Sequence, residues 1–197
     1  MRLKHTSLAI AFLVLFSSAG TSQTSRTNTD RGTPDFSVQV WGYIGADFST
    51  RVWNYSELRS KLEKGLPPLT VTDDPSEIRR AVHALAKRIR VARAGAKEGE
   101  IFTPTISVEF RRVLLLEMNA NTWAAIMDDN PGEFSNQIND PYPEERPLST
   151  VPPNVLAVLP RLPDDIQYRF VGRHLILLDT RASLILDRIR YAVKCAD

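Results

Sequence analysis

Apolar side chains recur every three or four residues in three stretches of the chain, and this spacing predicts three amphipathic helices. The first helix is expected to begin at Asp47, and its apolar positions are Phe48, Val52, Tyr55, Leu58 and Leu62. The apolar positions of the second are Ile78, Val82, Leu85, Ile89 and Ala92. Those of the third are Ile106, Phe110, Val113, Leu114 and Met118, and an extension to Met127 fits the same pattern.

Residues that favour helix ends flank these stretches. Asp74 suits the N-cap of the second helix, Pro75 its first position, and Glu77 completes a capping box. Gly65 and Gly95 are expected to end the first and second helices, Gly65 in the left-handed conformation. A similar start, Thr-Pro at 103–104, precedes the third helix, and a short helix is expected inside the proline-bracketed segment 152–160.

Two segments have the pattern of strands. Residues 36–44, FSVQVWGYI, alternate enough to predict a short strand, with a loop as the alternative. The end of the chain has period two from Ile166 onward, with turns at Gly172-Arg173, of type II′, and at Arg181-Ala182. The predicted fold class is therefore α+β, with three amphipathic helices and a short helix packed against a small C-terminal antiparallel β-meander.

The strand pattern also predicts which charged residues share a face of the sheet. The core face is expected to contain Ile166, Tyr168, Phe170, Leu175, Leu177, Leu184 and Leu186. The register pairs Asp179 with Leu184 and Ile176 with Asp187, so that Arg169 and Asp187 share the second face and form a structural ion pair. His174 and Asp179 fall on opposite faces, which rules them out as a catalytic dyad.

The N-terminus resembles a secretory signal. Arg2, Lys4 and His5 precede an apolar run, 8–16, that is much shorter than the roughly 20 residues of a membrane-spanning helix, and small residues follow. We expect a signal peptide at 1–19, a disordered Ser/Thr-rich leader at 20–35 and one globular domain at 36–197. The protein is then exported to the periplasm or the extracellular space, and it is not an integral membrane protein.

Loss of that signal would change the charge balance. The whole chain has 25 basic and 23 acidic residues, and removal of Arg2 and Lys4 leaves 23 of each. Net charge therefore says little about partners. Cys195, the single cysteine, cannot form an intramolecular disulfide, and it is interpreted as an idle tail residue or an intermolecular tether.

Sequence motifs for catalysis, metal binding and cofactor binding were not found. The chain has no H-E-x-x-H, C-x-x-C, G-x-S-x-G or S-x-x-K motif and no glycine-rich phosphate loop. The segment from Asp128 to Asn139 departs from a calcium loop at its glycine and at its last ligand, and it is interpreted as a turn. No catalytic, metal or cofactor residue is therefore assigned.

The second helix has the most unusual surface. Seven basic residues and no acid lie between Arg79 and Lys97. The basic face, opposite the apolar stripe, is expected to bind an anionic lipid surface, a glycan or an acidic protein through Arg79, Arg80, Lys87 and Arg90. Nucleic acid is not expected outside the cytoplasm. The alternative is that the face is simply solvated, or neutralised by the loop 128–145, whose acids are Asp128, Asp129, Glu133, Asp140, Glu144 and Glu145.

Three segments resemble the recurring pattern of a family of bacterial exported proteins that has no assigned activity. These segments are GLPPLTVTDDPSEIRRAV, EIFTP and YRFVGRHLILLDTRASLILD, and the resemblance covers about 48–189. It implies one intact exported domain and adds no catalytic residues.

The leading functional hypothesis is a non-enzymatic exported binding protein that uses the basic face. One alternative is a hydrolase of envelope or extracellular polymers that uses carboxylates of the loop 128–145. Another is a structural or assembly protein.

Overall fold

Helices come first along the chain, and a small antiparallel sheet follows. A computed structural model describes residues 36–66 and 73–194. The helices are α1 (Phe36–Glu63), α2 (Pro75–Ala92), α3 (Pro104–Glu117), α4 (Ala120–Asp128) and α5 (Pro153–Val158). The strands are β1 (Ile166–Val171), β2 (His174–Asp179) and β3 (Leu184–Ile189), in the spatial order β1-β2-β3. The predicted α+β class, with its C-terminal meander, is confirmed. The expected signal peptide, leader and Cys195 lie outside the described residues.

The strand predicted at 36–44 is wrong, because this segment forms the first turns of α1. Ile44 is buried, and it continues the apolar row of Phe48, Val52 and Tyr55 toward the N-terminus at helical spacing. Trp41 packs edge-on against Phe110, with the ring centres 5.4 Å apart. Tertiary packing of this row therefore determines the helix, although the local alternation favours a strand.

Several helix ends differ from the prediction. The third helical stretch does not continue to Met127, because the chain leaves the helix at Met118 and Asn119 caps the separate helix α4 by accepting from the Thr122 N–H at 2.9 Å. Gly65 does not adopt a positive φ. A Cβ at Gly65 would lie 2.7 Å from Nη1 of Arg88, so its small size leaves room for that guanidinium. The Asp74 N-cap is confirmed, with a 2.8 Å bond from the Ser76 N–H.

The register of the first hairpin is as predicted, and that of the second is only partly so. Val171 pairs with His174, and Gly172 has φ +55° in the turn between them. Asp179 pairs with Leu184 as expected. A β-bulge then shifts the pairing, so that Ile176 lies opposite Arg188 rather than Asp187. The bulge moves Asp187 to the face that the helices cover, and the predicted ion pair with Arg169 does not form.

Both faces of the sheet are covered. All seven residues predicted for the core face are buried in the larger cluster, against side chains of α1, α2 and α3. On the second face, Val171, Ile176, Leu178 and Ile185 form a smaller cluster with Tyr142, and Phe134 packs beside it. The loop 128–145 therefore contributes its two aromatic residues, Phe134 and Tyr142, to the second core.

Candidate functional site

The basic face of α2 consists of Arg79, Arg80, Lys87 and Arg90, and all four are exposed. At about 100° per residue they fall within roughly a quarter of the helix circumference, and from Arg79 to Arg90 they extend over about 16 Å of its length. Leu85 and Ile89, on the opposite side, are buried in the larger core. Arg80 contacts its own helix through Ser76 Oγ at 2.9 Å and Glu77 at 3.8 Å. The helix thus holds a row of cations in place by packing its other side.

Two other basic residues of this segment have structural roles. Arg88 donates to the carbonyl oxygens of Leu62 at 2.9 Å and Gly65 at 2.8 Å, at the C-terminal end of α1, where carbonyls lack helical partners. Arg93 is 7 % exposed and donates to Leu186 O, Asn139 Oδ1 and Glu100 Oε2, each at 3.1 Å. Its guanidinium also lies 5.2 Å from the centre of the Tyr55 ring. These two arginines attach α2 to the rest of the fold.

The loop 128–145 contacts α2 on the side of the basic face and at the C-terminal end of the helix. Among the described residues, no hydrogen bond or ion pair joins this loop to Arg79, Arg80, Lys87 or Arg90. Its contacts with the helix region include His83–Glu144, at 4.0 Å between two exposed side chains. Asn139 of the loop also donates to Arg93 O at 2.8 Å and accepts from the Arg93 guanidinium at 3.1 Å. Glu144 of the loop therefore lies beside His83, which is on the same side of α2 as the four cations, but in the part of the chain that the structure describes it makes no hydrogen bond or ion pair with any of the four.

The acids of this loop do not form an evident catalytic pair. Asp129 accepts from the Thr150 hydroxyl at 3.2 Å, and Asp140 accepts from the Ser135 hydroxyl at 3.2 Å. The cleft beside β1, of about 560 Å³, has none of the loop's six acids in its lining. Within 36–66 and 73–194, no group of three or more His, Cys, Asp or Glu side chains is placed to hold a metal ion.

Asp179 is buried at the end of β2, where it joins the sheet to α1. Its carboxylate accepts from the Tyr55 hydroxyl at 2.5 Å and from the N–H groups of Arg181 and Ala182, both at 2.9 Å. Arg59 Nη1 lies 3.7 Å from Asp179 and 3.2 Å from Asp165. Burial raises the pKa of Asp179, although these hydrogen bonds oppose the rise, and burial also raises the pKa of Tyr55. The Asp179 carboxylate is therefore enclosed, and its role is structural.

Asp187 has a similar structural role on β3. It is fully buried and accepts four backbone N–H groups, those of Gly99, Ile101, Phe102 and Arg188, at 2.7–3.0 Å. Burial raises the pKa of Asp187, and the four donors oppose that rise. The carboxylate thereby fixes the segment that leads from α2 into α3. The sequence signal for both acids was an aspartate at the end of, or within, a strongly apolar strand.

His174 lies beside the first turn, and it contacts neither aspartate. Its Nδ1 accepts from the Tyr191 N–H at 3.0 Å, and the two rings are 4.9 Å apart. Burial lowers the pKa of His174 below its ordinary value, with Glu133 opposing that effect. Because Nδ1 is an acceptor, this histidine is a neutral structural group near pH 7.

Comparisons with known proteins do not assign a family. No protein-family model, curated protein sequence or solved structure matches this chain. In the part of the chain that the structure describes, no helix has both the length and the apolar character required to cross a bilayer.

Proposed function

We propose that this protein is an exported, non-enzymatic binding protein, and that its basic face binds an anionic polysaccharide. The observation that supports this most directly is the row of four exposed cations on a helix whose opposite side is fixed in the core. A rigid scaffold holds these charges at set spacings, so a repeating anionic polymer can meet several of them at once.

The basic face has no large apolar side chain within it, and this favours a glycan over a lipid surface as its ligand. A helix that lies in a membrane interface presents large apolar side chains beside its cations, for burial among acyl chains. Of the exposed large apolar residues of α2, Val91 lies at the rim of the basic face and Ile78 lies on the side of the apolar stripe. Neither lies within the row itself, which suits contact with a hydrated polyanion.

Retention on immobilised heparin tests the proposal. The variant Arg79→Gln/Arg80→Gln/Lys87→Gln/Arg90→Gln removes the row, and at about 1 kcal/mol for each basic residue near an anionic surface it should weaken binding about a hundredfold or more. The matched control, Lys61→Gln/Lys64→Gln/Arg112→Gln/Lys194→Gln, removes the same charge from exposed positions elsewhere. The control should keep most of the retention.

A salt series and a comparison of ligands test whether the retention is electrostatic and which ligand the face binds. Retention of the native protein should fall steeply as salt screens the charges. Equal loss in the quadruple variant and in its control would mean that net charge alone governs retention, and it would refute a site on α2. Binding to vesicles with anionic lipids, with no binding to anionic glycans, would refute the choice of ligand.

A further inference from the structure

The two edges of the sheet differ in how completely they are covered. On the β3 edge, the Asn139 N–H donates to Ile185 O at 2.8 Å, and the Ile185 N–H donates to Asp140 O at 3.0 Å. Arg93 adds a bond to Leu186 O at 3.1 Å. Loop residues thus continue the sheet beyond β3. On the β1 edge, residues within 36–66 and 73–194 cover the strand backbone at two points.

Those two points are at Phe170 and Ile166. The Ser149 hydroxyl accepts from the Phe170 N–H at 2.7 Å and donates to Phe170 O at 2.8 Å. The Ile166 N–H donates to Pro163 O at 3.2 Å. Both residues therefore direct backbone groups away from β2, as alternate residues of an antiparallel strand must.

Tyr168 lies midway between these two points and has the same orientation. Its N–H and C=O point away from β2, because Tyr168 is two residues from Phe170 in a hairpin without a bulge. Among the described residues, neither group has a hydrogen-bond partner. An unpaired N–H and C=O on an edge strand are ready to pair with another chain.

The cleft lies beside Tyr168, which is itself 5 % exposed. It has a volume of about 560 Å³, within the range of small-ligand sites, and Tyr168 is part of its lining. Val151, Leu156, Pro160 and Leu162 supply apolar walls, and Leu156 is 48 % exposed. The cleft therefore offers apolar contact beside an edge strand whose Tyr168 backbone groups are unpaired among the described residues.

The charge of the cleft is positive. Arg161 and Arg169 both line it, and no acidic residue is among the described residues that do so. Arg169 is anchored by donating to Ser149 O at 2.8 Å and to Gln167 Oε1. Burial lowers the pKa of Arg169, which indicates that its cation is poorly solvated, and Arg161 is exposed. An anion in the cleft would therefore meet one exposed and one under-solvated guanidinium.

We propose that this cleft binds the C-terminal end of an extended polypeptide, with an apolar side chain against the cleft walls and the terminal carboxylate at Arg161. The peptide pairs with the N–H and C=O of Tyr168 as a short added strand. A chain end fits better than a continuous strand, because Ser149 and Pro163 block the edge on both sides of Tyr168. This site is separate from the basic face of α2.

Fluorescence anisotropy with labelled hexapeptide pools tests the proposal on the full chain. One pool ends in leucine or valine with a free carboxylate, and the matched pool has a C-terminal amide. The free-acid pool should bind about tenfold tighter or more, since the amide removes the charge-assisted hydrogen bonds to the guanidinium. In amide hydrogen exchange, the Tyr168 N–H should be protected by the free-acid pool.

Two variants locate the binding. Arg161→Gln removes the exposed guanidinium, and Leu156→Glu places a like charge in the cleft; each should weaken binding of the free-acid pool about tenfold. The matched controls, Arg112→Gln and Val108→Glu, change exposed residues that do not line the cleft and should bind normally. Equal binding of the acid and amide pools, or no protection of Tyr168, would overturn the proposal.

Discussion

The sheet and helix α2 both carry several charged side chains, but the two regions differ in what surrounds those charges. Asp179 and Asp187 are fully buried, and they accept three and four hydrogen bonds. The four cations of the basic face of α2 are exposed, and none of them pairs with a described acid of the loop 128–145, whose Glu144 contacts His83 on the same side of α2. A charge surrounded by donors holds the fold, whereas a row of exposed charges on a fixed helix is available to a ligand.

Of the substitutions considered at buried charges, removal of the Asp187 carboxylate should have the largest effect on stability. Asp187→Ala leaves the N–H groups of Gly99, Ile101 and Phe102 without their acceptor inside the protein. We expect the free energy of unfolding to fall by about 3–5 kcal/mol, or the domain not to fold. Urea denaturation measures this, with exposed Asp128→Ala as the control. A loss below about 1 kcal/mol would show that Asp187 is not a structural anchor.

A smaller effect is expected from the Tyr55 hydroxyl. Tyr55→Phe removes the donor 2.5 Å from Asp179 but keeps the ring against the core. Two backbone N–H groups and Arg59 still face the carboxylate, so the free energy of unfolding should fall by about 1–3 kcal/mol. Tyr43→Phe, at a side chain that is 77 % exposed, should have no effect. An unchanged stability in Tyr55→Phe would contradict the importance of this bond.

Glu98 is not buried like the two aspartates, but it is paired with two arginines, and its contribution to stability depends on pH. Burial raises the pKa of Glu98, but hydrogen bonds from Arg190 and Arg188 outweigh it, so the folded pKa lies below the ordinary value. A lowered folded pKa stabilises the fold above the unfolded pKa, and this contribution is lost as pH falls through the folded pKa. Glu98→Gln should therefore be less stable than the native protein at pH 7, and the difference should shrink upon acidification.

Thermal unfolding of both proteins across pH 2–7 (roughly the range in which carboxylates titrate) checks this. Glu57→Gln, at an exposed acid of α1, serves as the control. A difference between Glu98→Gln and the native protein that stays constant over the whole range would contradict the charge pairing of Glu98 with Arg188 and Arg190.

Local sequence patterns predicted where helices and strands occur better than they predicted where each one begins and ends. The row from Phe48 to Tyr55, the cap at Asp74 and the turn at Gly172 follow from periodicity and local chemistry, and the structure agrees. The strand expected at 36–44 failed because helix packing against Phe110 decides that segment. Periodicity also failed to indicate the break at Asn119, where a side-chain cap starts a new helix.

The candidate sites could be predicted only in part, because they depend on contacts between residues that are distant along the chain. Spacing alone placed Arg79, Arg80, Lys87 and Arg90 on one face of α2, and they are exposed. The bulge in β3 was not predictable from alternation, and it changed the neighbours of Asp187. The open position at Tyr168 likewise depends on where Ser149 and Pro163 meet the edge strand.

Two arginines of α2 that are two residues apart give the most direct test of a binding site on the basic face. Arg88 is bonded to the end of α1, and Arg90 belongs to the basic face. Arg88→Gln and Arg90→Gln remove the same charge. We measure the free energy of unfolding and the salt concentration that elutes each variant from heparin.

Arg88→Gln should lower the free energy of unfolding by about 1 kcal/mol, because it removes hydrogen bonds to two carbonyls, and it should keep nearly native retention. Arg90→Gln should keep native stability and elute at a clearly lower salt concentration. Equal retention loss in the two variants would contradict a binding site on the basic face, since charge alone, rather than its place on α2, would then determine binding.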